Sequence, residues 1–479
     1  MTPIRHNLIG GRWVEGSSQL DNVNPSDTRE VVSRHSLADA DEVREACAAA
    51  RDAFSGWRRS TTQQRADILD AAAAEVLARR EELGRLLASE EGKTLPEAFG
   101  EVTRAGHLLR FFAGEAVRLS GELGASIRPG VRVEVTREPV GVVALITPWN
   151  FPIAIPAWKI APALAFGNCV VFKPSEIAPA SAWMLVDILH RAGLPPGVLN
   201  LVGGVGAEVG QALVASAEID AISFTGSVAT GQAIAAAASP RMLKLQLEMG
   251  GKNPLLVLDD ADLDVAVSCA VNGAFFSTGQ RCTASSRLIV TRGIHDRFVD
   301  AMVARMRALK VDHALKTGTD IGPVVDTRQL EKSEQYLAIG KAEGAQLVTG
   351  GQRLTRETPG HYLEPALFTQ TRADMRINRE EIFGPVASVI AAENLDHALG
   401  LANDTEFGLA AGVCTRSLAA AEHFRREIQA GVVMVNLPTA GLDYHVPFGG
   451  RKASSHGPRE QGAAARDFYT LGKTAYVSA

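Results

Sequence analysis

The chain alternates continuous apolar runs with longer stretches in which apolar residues recur at helical spacing. Between residues 39 and about 119 this helical pattern is interrupted only near Gly92 and Pro96, which predicts long scaffold helices. Four later runs of β-type residues each lead into a loop and a helix, at 141–146, 169–172, 197–202 and 221–224. Continuous apolar strands are typical of a parallel sheet buried on both faces. Four successive units therefore predict a doubly wound nucleotide-binding domain in an α/β protein.

Shorter patterns predict the remaining elements. A Gly-Gly pair within residues 8–14 is typical of a tight hairpin. Residues 131–137 alternate apolar with polar positions, as a strand with one solvated face does, and such a strand could cover a partner subunit. Residues 245–248 form a further apolar strand, strands and helices alternate over about 283–430, and residues 467–470 are predicted to begin a final strand.

Composition limits the class of protein. The 479 residues exceed one ordinary hydrophobic core, so two or three domains are expected, and 46% hydrophobic with 22% charged residues is typical of a soluble globular protein. A net charge of -5 without a basic patch argues against nucleic acid as a partner. No apolar run reaches bilayer length and residues 1–7 lack the apolar region of a signal peptide. These features predict a cytoplasmic protein without a membrane partner.

The loops after the predicted parallel strands carry polar residues, and α/β sheets bind their ligands at such loops. A Thr-Pro-Trp-Asn-Phe-Pro loop at 147–152 follows the first strand, and its prolines stop any helix. Lys173 and Glu176 follow the second strand and could hold ribose hydroxyls, while the carboxylate would repel a 2′-phosphate. The glycine-containing loops 204–206 and 225–227 could bind a pyrophosphate or serve as ordinary turns, and both interpretations stay open.

Three further residues could carry chemistry. Cys282 follows a glycine by three positions among small and polar residues, where a cysteine is either a nucleophile on a turn or an inert buried side chain. Glu248 ends a strand, where it is either a solvated surface residue or a catalytic base. Glu381 lies on a loop with glycine and proline. Five scattered cysteines without a Cys-x-x-Cys pair argue against a disulfide framework and a zinc site, and no metal is predicted.

Six motifs, in this order along the chain, resemble the aldehyde dehydrogenase superfamily from the first hairpin to the last strand. They are Pro-Trp-Asn-Phe-Pro at 148–152, Lys-Pro-Ser-Glu at 173–176, Phe-Thr-Gly-Ser at 224–227, Leu-Glu-Met-Gly-Gly-Lys at 247–252, Gly-Gln-Arg-Cys at 279–282 and Glu-Ile-Phe-Gly-Pro at 381–385. Met249 stands where the family often has leucine, a near-isosteric exchange.

The resemblance implies an aldehyde dehydrogenase-like fold in three parts. Residues 1–120 and 140–250 would form an NAD(P)-binding domain, and residues 251–445 would form a catalytic α/β domain with the nucleophilic cysteine. Residues 121–139 and 465–479 would form a small β ribbon that bridges subunits. We therefore expect a homodimer or a homotetramer.

The resemblance also implies the chemistry. Cys282 would attack the aldehyde to form a thiohemiacetal, because hydride leaves readily only from a tetrahedral carbon. The side-chain amide of Asn150 and the backbone amide of Cys282 would hold the negative oxygen. Glu248 would then activate the water that hydrolyses the thioester. Glu460 matches a family glutamate that relays protons, and Lys159 matches a lysine that lines the same region.

The implied cofactor is NAD, and NADP stays open. Lys173 and Glu176 match contacts to the adenosine ribose, Ser227 matches a pyrophosphate contact, and Glu381 and Phe383 match the nicotinamide-ribose side. The full set of predicted cofactor contacts is Thr147, Pro148, Trp149, Lys173, Ser175, Glu176, Gly206, Phe224, Gly226, Ser227, Glu381 and Phe383.

The implied substrate is a small-molecule aldehyde. Arg281, next to the nucleophile, could be a fixed cation for a substrate carboxylate, or it could point at the backbone or a neighbouring acid, and both interpretations stay open. The predicted pocket residues are Phe151, Ile155, Trp158, Arg281, Thr283 and Phe448.

Residues 153–159, 275–287 and 440–452 resemble more closely the α-ketoglutaric semialdehyde (2,5-dioxopentanoate) dehydrogenases, which implies oxidation of that aldehyde to 2-oxoglutarate. Succinic or glutaric semialdehyde, or a broad or aromatic specificity, are the alternatives among substrates. A CoA-acylating enzyme is disfavoured because Glu248 is present to activate water. The alternative of another class is a non-catalytic structural or binding protein, which the intact Asn150, Glu248 and Cys282 argue against.

Overall fold

The computed structural model describes residues 3–478, so Met1, Thr2 and Ala479 of the predicted terminal segments lie outside the described residues. The strands are β1 (Ile4–Arg5), β2 (Asn7–Ile9), β3 (Arg12–Val14), β4 (Ser18–Val23), β5 (Val31–Leu37), β6 (Glu122–Ala125), β7 (Val131–Pro139), β8 (Val142–Ile146), β9 (Cys169–Lys173), β10 (Leu199–Leu201), β11 (Ala221–Thr225), β12 (Lys244–Glu248), β13 (Pro254–Val257), β14 (Arg287–Thr291), β15 (Gln346–Thr349), β16 (Ala366–Thr369), β17 (Val386–Ala392), β18 (Ala410–Cys414), β19 (Val432–Val435), β20 (Ser455–His456) and β21 (Thr470–Ser478). The α-helices are α1 (Ala40–Trp57), α2 (Thr62–Ala78), α3 (Arg80–Glu91), α4 (Leu95–Arg118), α5 (Ala154–Ala165), α6 (Ala180–Arg191), α7 (Gln211–Ala215), α8 (Val228–Ala238), α9 (Leu263–Phe275), α10 (His295–Arg307), α11 (Thr327–Ala342), α12 (Arg376–Arg379), α13 (Leu395–Asn403), α14 (Leu418–Glu427) and α15 (Arg466–Tyr469).

The first large sheet contains the four predicted strand-loop-helix units. Its strand order is β20-β12-β11-β8-β9-β10-β2-β3, and its five central strands are parallel. The hairpin at the Gly-Gly pair, β2 and β3, extends this sheet as an antiparallel edge. The strand order reverses between β8 and β11. In open α/β sheets ligands bind outside the carboxyl ends of the strands at such a reversal, so the crevice lies beside the loops that follow β8 and β11.

The second large sheet carries the cysteine motif. Its order is β15-β16-β17-β14-β13-β18-β19, and its neighbouring strands pair in parallel except for the edge strand β15. Every residue of the central strand β14 is buried, and β14 begins five residues after Cys282. The predicted turn that carries Cys282 is therefore followed in the chain by a fully buried strand of this sheet.

A third, exposed sheet has the order β21-β7-β6, in which β7 and β21 pair antiparallel over nine residue pairs. The strand predicted at 131–137 is therefore present. The prediction that the last strand begins at Asp467 is wrong, because 466–469 form the helical turn α15 and β21 starts at Thr470. Phe468 and Tyr469 are both buried, and a helical turn buries two successive rings that a strand would point to opposite faces.

Helix α4 is the longest of the scaffold helices and passes beside the active-site loops. It starts with a capping box in which Thr94 and Glu97 exchange hydrogen bonds. Pro96 lies in its first turn, where a missing N–H costs nothing, and the actual break is the left-handed Gly92 (φ 95°) that ends α3. Within residues 3–478 no helix is long and apolar enough to cross a membrane. The predicted three-part domain division stays a prediction.

Candidate active site

The turn that carries Cys282 connects α9 to β14 and contains an unusual backbone segment. Three successive residues are left-handed: Ser277 (φ 51°), Thr278 (φ 56°) and Gly279 (φ 67°). A Cβ at Gly279 would clash with the carbonyl oxygen of Gly384, so only glycine fits there. Cys282 is partly exposed, whereas the other four cysteines are buried. Cys282 is therefore the most accessible of the five thiols.

The carbonyl side of the nucleophile is fixed by the start of the second large sheet. The side-chain amide of Asn253 donates to the carbonyl oxygens of Cys282 at 2.7 Å and Ala284 at 3.0 Å, while its oxygen accepts from the backbone N–H of Ala410 at 2.9 Å. A Cβ on Gly251 would lie 2.8 Å from the Cys282 carbonyl oxygen. The absence of a side chain at this glycine therefore lets the two backbones approach.

Asn150, from the loop after β8, lies beside this turn. Its side chain is buried, and its Nδ2 donates to the carbonyl oxygen of Gln280 at 3.0 Å. An amide nitrogen carries two N–H groups, so the second can face an oxygen bound at the nucleophile. The structure thus brings together two predicted catalytic residues, Asn150 and Cys282, that are 132 positions apart in the chain.

A buried ion pair that the sequence did not indicate supports the Asn150 loop. The Lys93 ammonium donates to the carbonyl oxygen of Asn150 at 2.7 Å and to the Glu101 carboxylate at 2.6 Å. The other Glu101 oxygen accepts from the backbone N–H groups of Ile153 and Ala154 at 3.1 Å each. Both charged side chains are 1% exposed, and buried charges persist only when they are paired and hydrogen-bonded in this way. The pair fixes the backbone on both sides of the loop.

Glu248 ends β12 and faces the same cavity as Cys282. Burial raises the pKa of Glu248 well above its ordinary value, the nearby Glu460 carboxylate raises it further, and a 2.5 Å hydrogen bond from Ser455 opposes the rise. A carboxyl whose pKa lies closer to neutrality is a more effective general base.

The thiol is in its neutral form in this environment. Burial raises the pKa of Cys282 to about 12, and the carboxylates of Glu381 and Glu248 contribute to the rise. Only the thiolate attacks efficiently, so the reaction needs a base that removes the thiol proton. Glu248, on the wall of the same cavity, is the candidate base.

The two residues predicted near a proton relay contact each other behind Glu248. The ammonium of Lys159 donates to Glu460 and, at 2.7 Å, to the Ser223 hydroxyl, which donates to Gln246 at 2.9 Å. The Lys159 and Glu460 side chains are 0% and 2% exposed. The charges of this pair reach Glu248, because the Glu460 carboxylate raises the pKa of Glu248 and the Lys159 ammonium lowers it.

The adenosine side of the predicted cofactor site lies at the carboxyl ends of β9 and β11. The Lys173 ammonium donates to the Glu176 carboxylate at 3.2 Å and to the Pro174 carbonyl at 2.9 Å, and burial lowers the pKa of Lys173. The Ser227 hydroxyl caps α8 by accepting from the backbone N–H of Thr230 at 3.3 Å. The first amides of a helix lack partners within the helix and can hold an anion, so the start of α8 is a candidate site for the pyrophosphate.

The remaining predicted contacts lie around the same crevice. Ser175 accepts from the backbone N–H of Ile177 at 3.2 Å, and Gly206 begins a π-helical turn after β10. The buried ring of Phe224 packs so closely on Gly226 that a side chain at this glycine would collide with it. Gly226 thus keeps the loop after β11 close to the sheet.

The nicotinamide side is formed by two loops that meet across the sheets. The rings of Trp149 and Phe383 pack edge to face with centroids 5.4 Å apart. Glu381 accepts from the backbone N–H of Gly251 at 2.9 Å, and a Cβ on Gly250 would clash with its carboxylate. Glu381 therefore lies beside the two glycines that follow Glu248, and Phe383 lies beside the loop that follows β8.

Two orphaned hydroxyls indicate that a polar ligand fits this crevice. Thr147 directly follows β8, before Pro148, and Thr225 ends the neighbouring strand β11. Their hydroxyl oxygens are buried without a partner among residues 3–478. A buried polar group left unpaired costs about 1–3 kcal/mol. A dinucleotide with hydroxyls and phosphate oxygens would supply the missing partners, so the residues fit NAD.

The predicted substrate residues surround one cavity of about 560 Å³. Its walls also include Cys282 and Glu248, so the cavity opens onto the nucleophile. The predicted residues that line it are Phe151, Ile155, Trp158, Arg281, Thr283 and Phe448.

Arg281 combines the two interpretations that its sequence position left open. Its Nη2 donates to the backbone carbonyl of Asn272, yet the side chain also lines the cavity. Its Nε is buried without a hydrogen-bond partner in the described chain. The guanidinium therefore brings both a charge and an unused donor to the cavity region.

Arg104, which sequence analysis missed, is a second cation on the wall of this cavity. It projects from α4, donates to the backbone carbonyl of Leu442 and, at 2.8 Å, to the side-chain oxygen of Gln461. Its guanidinium carbon lies 5.9 Å from the centroid of the Trp158 ring. The only available sequence signal is an arginine on the inward face of a predicted helix.

The model of the aldehyde dehydrogenase family matches residues 13–475, and the chain belongs to this family. This membership confirms the predicted enzyme class, an NAD(P)-dependent oxidoreductase that acts on aldehydes.

Full-length relatives have more specific names. The chain is 42% identical to α-ketoglutaric semialdehyde dehydrogenase of Bacillus subtilis (strain 168) over 98% of its own length and 97% of the relative. It is also 42% identical to 2,5-dioxopentanoate dehydrogenase of Saccharolobus solfataricus, with 98% of each chain covered. The crystal structure of betaine aldehyde dehydrogenase from Staphylococcus aureus in complex with NAD+ is 36% identical, with a TM-score of 0.96 over 99% of this chain and 95% of that one. This similarity confirms the predicted fold and the closer sequence resemblance.

Proposed function

We propose that this aldehyde dehydrogenase oxidises α-ketoglutaric semialdehyde to 2-oxoglutarate with NAD. The observation that carries the proposal is the cavity beside Cys282, which has two arginines, Arg281 and Arg104, on its wall. The substrate is a short aldehyde with a keto acid at its other end, and guanidinium groups bind carboxylates well. Relatives named for this substrate at 42% and 43% identity over nearly the full chain support the assignment.

Two acidic residues near the cavity, Glu97 and Glu101, already have hydrogen-bond partners of their own. Glu101 is paired with the buried Lys93 ammonium at 2.6 Å. Glu97 accepts hydrogen bonds from the backbone and hydroxyl groups of both Thr94 and Ser277. Both carboxylates still act electrostatically on the arginines, Glu97 on Arg281 and Glu101 on Arg104, but the guanidinium groups are the cations on the cavity wall that an anionic substrate would contact.

The arrangement supports covalent catalysis by the thiol. The sulfur of Cys282 bonds to the aldehyde carbon, and the resulting negative oxygen accepts from the Asn150 amide and the Cys282 backbone N–H; loss of one such donor typically costs about 10²–10³ in rate. NAD, when bound in the crevice, would supply the acceptor for the hydride of the tetrahedral carbon. Glu248 then takes a proton from the water that attacks the thioester, which releases the acid and restores the thiol. We propose that Lys159 and Glu460 receive this proton, because both act electrostatically on Glu248.

The cofactor preference is proposed from the pair Lys173 and Glu176. The carboxylate of Glu176 is held at the end of β9 by a 3.2 Å contact to Lys173, where it suits ribose hydroxyls and would repel a 2′-phosphate. NAD is therefore expected to support faster turnover than NADP.

Betaine aldehyde is a second candidate because betaine aldehyde dehydrogenase of Bacillus subtilis (strain 168) is 38% identical over 98% of this chain. A quaternary ammonium substrate binds best against open aromatic faces. Here the aromatic pair Trp158 and Phe448 lines the cavity, but the Arg104 guanidinium already lies beside the Trp158 ring. A cationic substrate would be repelled, which favours the acidic aldehyde.

A steady-state panel tests the proposal. The substrates are α-ketoglutaric, succinic and glutaric semialdehydes, benzaldehyde and betaine aldehyde, each with NAD and with NADP. We expect the highest kcat/KM for α-ketoglutaric semialdehyde with NAD. A maximum for benzaldehyde or betaine aldehyde would refute the acidic pocket, a maximum for another semialdehyde would reassign the substrate, and stimulation by CoA would indicate an acylating enzyme.

The oligomeric state is proposed from the third sheet. All four residues of β6 are exposed, and β21 is mostly exposed along its nine residues. Leu123, Leu471 and Tyr476 are among its exposed apolar side chains. An exposed apolar sheet of this kind is typical of a subunit interface. Sedimentation should show a dimer or a tetramer, and a monomer at micromolar concentration would contradict the proposal.

A further inference from the structure

We propose that Glu97 is a positioning residue for the nucleophile. Through Ser277 it holds the left-handed segment, residues 277–279, that leads to Cys282. Glu97 lies on the first turn of α4, 185 positions before Cys282, and sequence analysis did not single it out. The inference concerns the thiol itself, so it does not depend on which aldehyde the enzyme prefers.

The left-handed segment is strained and needs external support. Ser277 (φ 51°, ψ 35°) and the β-branched Thr278 (φ 56°, ψ 28°) adopt a conformation that non-glycine residues avoid. Such backbone persists only where surrounding contacts enforce it. Both residues are buried, and the Thr278 hydroxyl donates to the carbonyl oxygens of Gly322 at 3.1 Å and Pro323 at 3.3 Å.

Glu97 supplies the charged contact to this segment. One carboxylate oxygen accepts from the backbone N–H of Ser277 at 2.7 Å and from its hydroxyl at 3.1 Å. The other oxygen accepts from the backbone N–H of Thr94 at 3.0 Å and from its hydroxyl at 2.8 Å. Hydrogen bonds to a charged acceptor are the strong ones, and the amino end of α4 stabilises the negative charge. One carboxylate thus joins the start of a 24-residue helix to the strained turn.

A shift of this turn would reach the reacting groups directly. The carbonyl oxygen of Gln280, three residues after Ser277, accepts from the Asn150 amide at 3.0 Å. The Gln280 side chain in turn accepts from the backbone N–H of Val325 at 3.0 Å. Relaxation of the left-handed segment would therefore displace both the thiol of Cys282 and the amide of Asn150. Misplacement of reacting groups lowers kcat more than it weakens substrate binding.

The test compares Glu97→Gln with Glu115→Gln. The glutamine keeps the size of the side chain but has only one oxygen, so it cannot serve Thr94 and Ser277 together. Glu115 lies on the same helix and pairs with the exposed Arg118 at 2.7 Å, which makes it the matched control. The readouts are kcat and KM for an acidic and a neutral aldehyde, and the rate of Cys282 alkylation by iodoacetamide without substrate or cofactor.

For Glu97→Gln we expect kcat with both aldehydes and the alkylation rate to fall roughly 10-fold or more, with KM changed by less than about threefold. The control should retain all three values. Unchanged alkylation and kcat would overturn the proposal. An effect confined to the acidic aldehyde would also overturn it, because Glu97 would then act on the charge of the substrate. The alkylation readout stays informative if α-ketoglutaric semialdehyde is not the substrate.

A rescue experiment separates positioning from general stability. Glycine adopts the left-handed conformation without strain, so Ser277→Gly should restore much of the kcat and alkylation rate lost in Glu97→Gln. Ser277→Ala, which keeps the strain and loses the same hydroxyl, should restore neither. Equal behaviour of the two double variants would contradict the proposal. If Glu97→Gln does not fold, Glu97→Asp, which keeps the charge but shortens the reach, should show the same loss and the same rescue.

Discussion

Replacement of Arg281 by leucine tests how the cavity selects its substrate. Leucine places an apolar side chain on the cavity wall. The substitution removes the guanidinium group and its contact to the Asn272 carbonyl. The residue lies on the turn of Cys282 but contributes no group to the covalent steps. The substitution should therefore change the recognition of charge and leave the reaction at the aldehyde carbon nearly intact.

The expected magnitude follows from the contacts of the Arg281 side chain. Its Nη2 is used by the Asn272 carbonyl and its Nε is buried without a partner among residues 3–478, while the residue lines the cavity, so we expect a substrate carboxylate to accept one hydrogen bond from the guanidinium. Burial lowers the pKa of Arg281, yet a guanidinium remains charged at neutral pH. A hydrogen bond to a charged group contributes about 1.5–3 kcal/mol. At about 1.4 kcal/mol per factor of ten, its loss corresponds to roughly 10–150-fold in kcat/KM.

The assay uses two aldehydes of equal length, glutaric semialdehyde and pentanal, which differ in the carboxylate. Arg281→Leu should lower kcat/KM for the semialdehyde by the factor above, chiefly through KM, and that for pentanal by less than about threefold. Arg281→Lys, which keeps a charge without the planar fork, should lie between the wild type and leucine. Equal losses for both aldehydes would refute the reasoning and leave Arg281 as a support of the turn.

Three further outcomes follow from the site and its surroundings. Cys282→Ser should abolish aldehyde oxidation, measured as NADH formation, while the thermal unfolding temperature stays within a few degrees; normal activity would exclude the thiol mechanism. Glu248→Gln should form NADH slowly in the steady state, and it should lose the rise of rate with pH that a base with a raised pKa confers; an unchanged pH profile would contradict the base role. Burial raises the pKa of Glu91 from 4.5 to about 8, so unfolding releases a proton between these values and wild-type stability should fall as pH rises through this window. Urea titrations of Glu91→Gln across the same pH range should show a flatter profile, and an unchanged profile would assign the effect to another group.

The parts of the site that the sequence predicts share one local feature. Lys173 ends a buried strand, and Asn150 and Ser227 lie in the loops that follow two others, so a short pattern locates both the strand and the ligand-binding loop at its carboxyl end. Cys282 and Glu248 lie in motifs of the family. Their roles stay proposals, but the structure gathers them around one cavity as the motifs require.

The supporting residues were not predictable because their partners are distant in sequence. Lys93 contacts Asn150 across 57 positions, Glu97 contacts Ser277 across 180, and Arg104 contacts Leu442 across 338. All belong to a stretch whose composition indicates only a scaffold helix. One signal was present, since residues 97, 101 and 104 place three charges at helical spacing on a face that turns inward. Charges on such a face indicate a site beneath it.

The proton of Cys282 links the two halves of the proposed mechanism. The Glu248 carboxylate raises the pKa of the thiol, so transfer of the thiol proton to Glu248 exchanges one anion for another at constant net charge. Glu248 must then lose this proton before it can activate water, and the buried Lys159–Glu460 pair, which acts on Glu248 electrostatically, is the proposed acceptor. The pH dependence of Cys282 alkylation in Glu248→Gln separates the two effects of this carboxylate. If Glu248 acts mainly as the base, alkylation near neutral pH should slow; if its charge dominates, removal of that charge should lower the pKa of the thiol and speed alkylation, and the base role at the first step would be wrong.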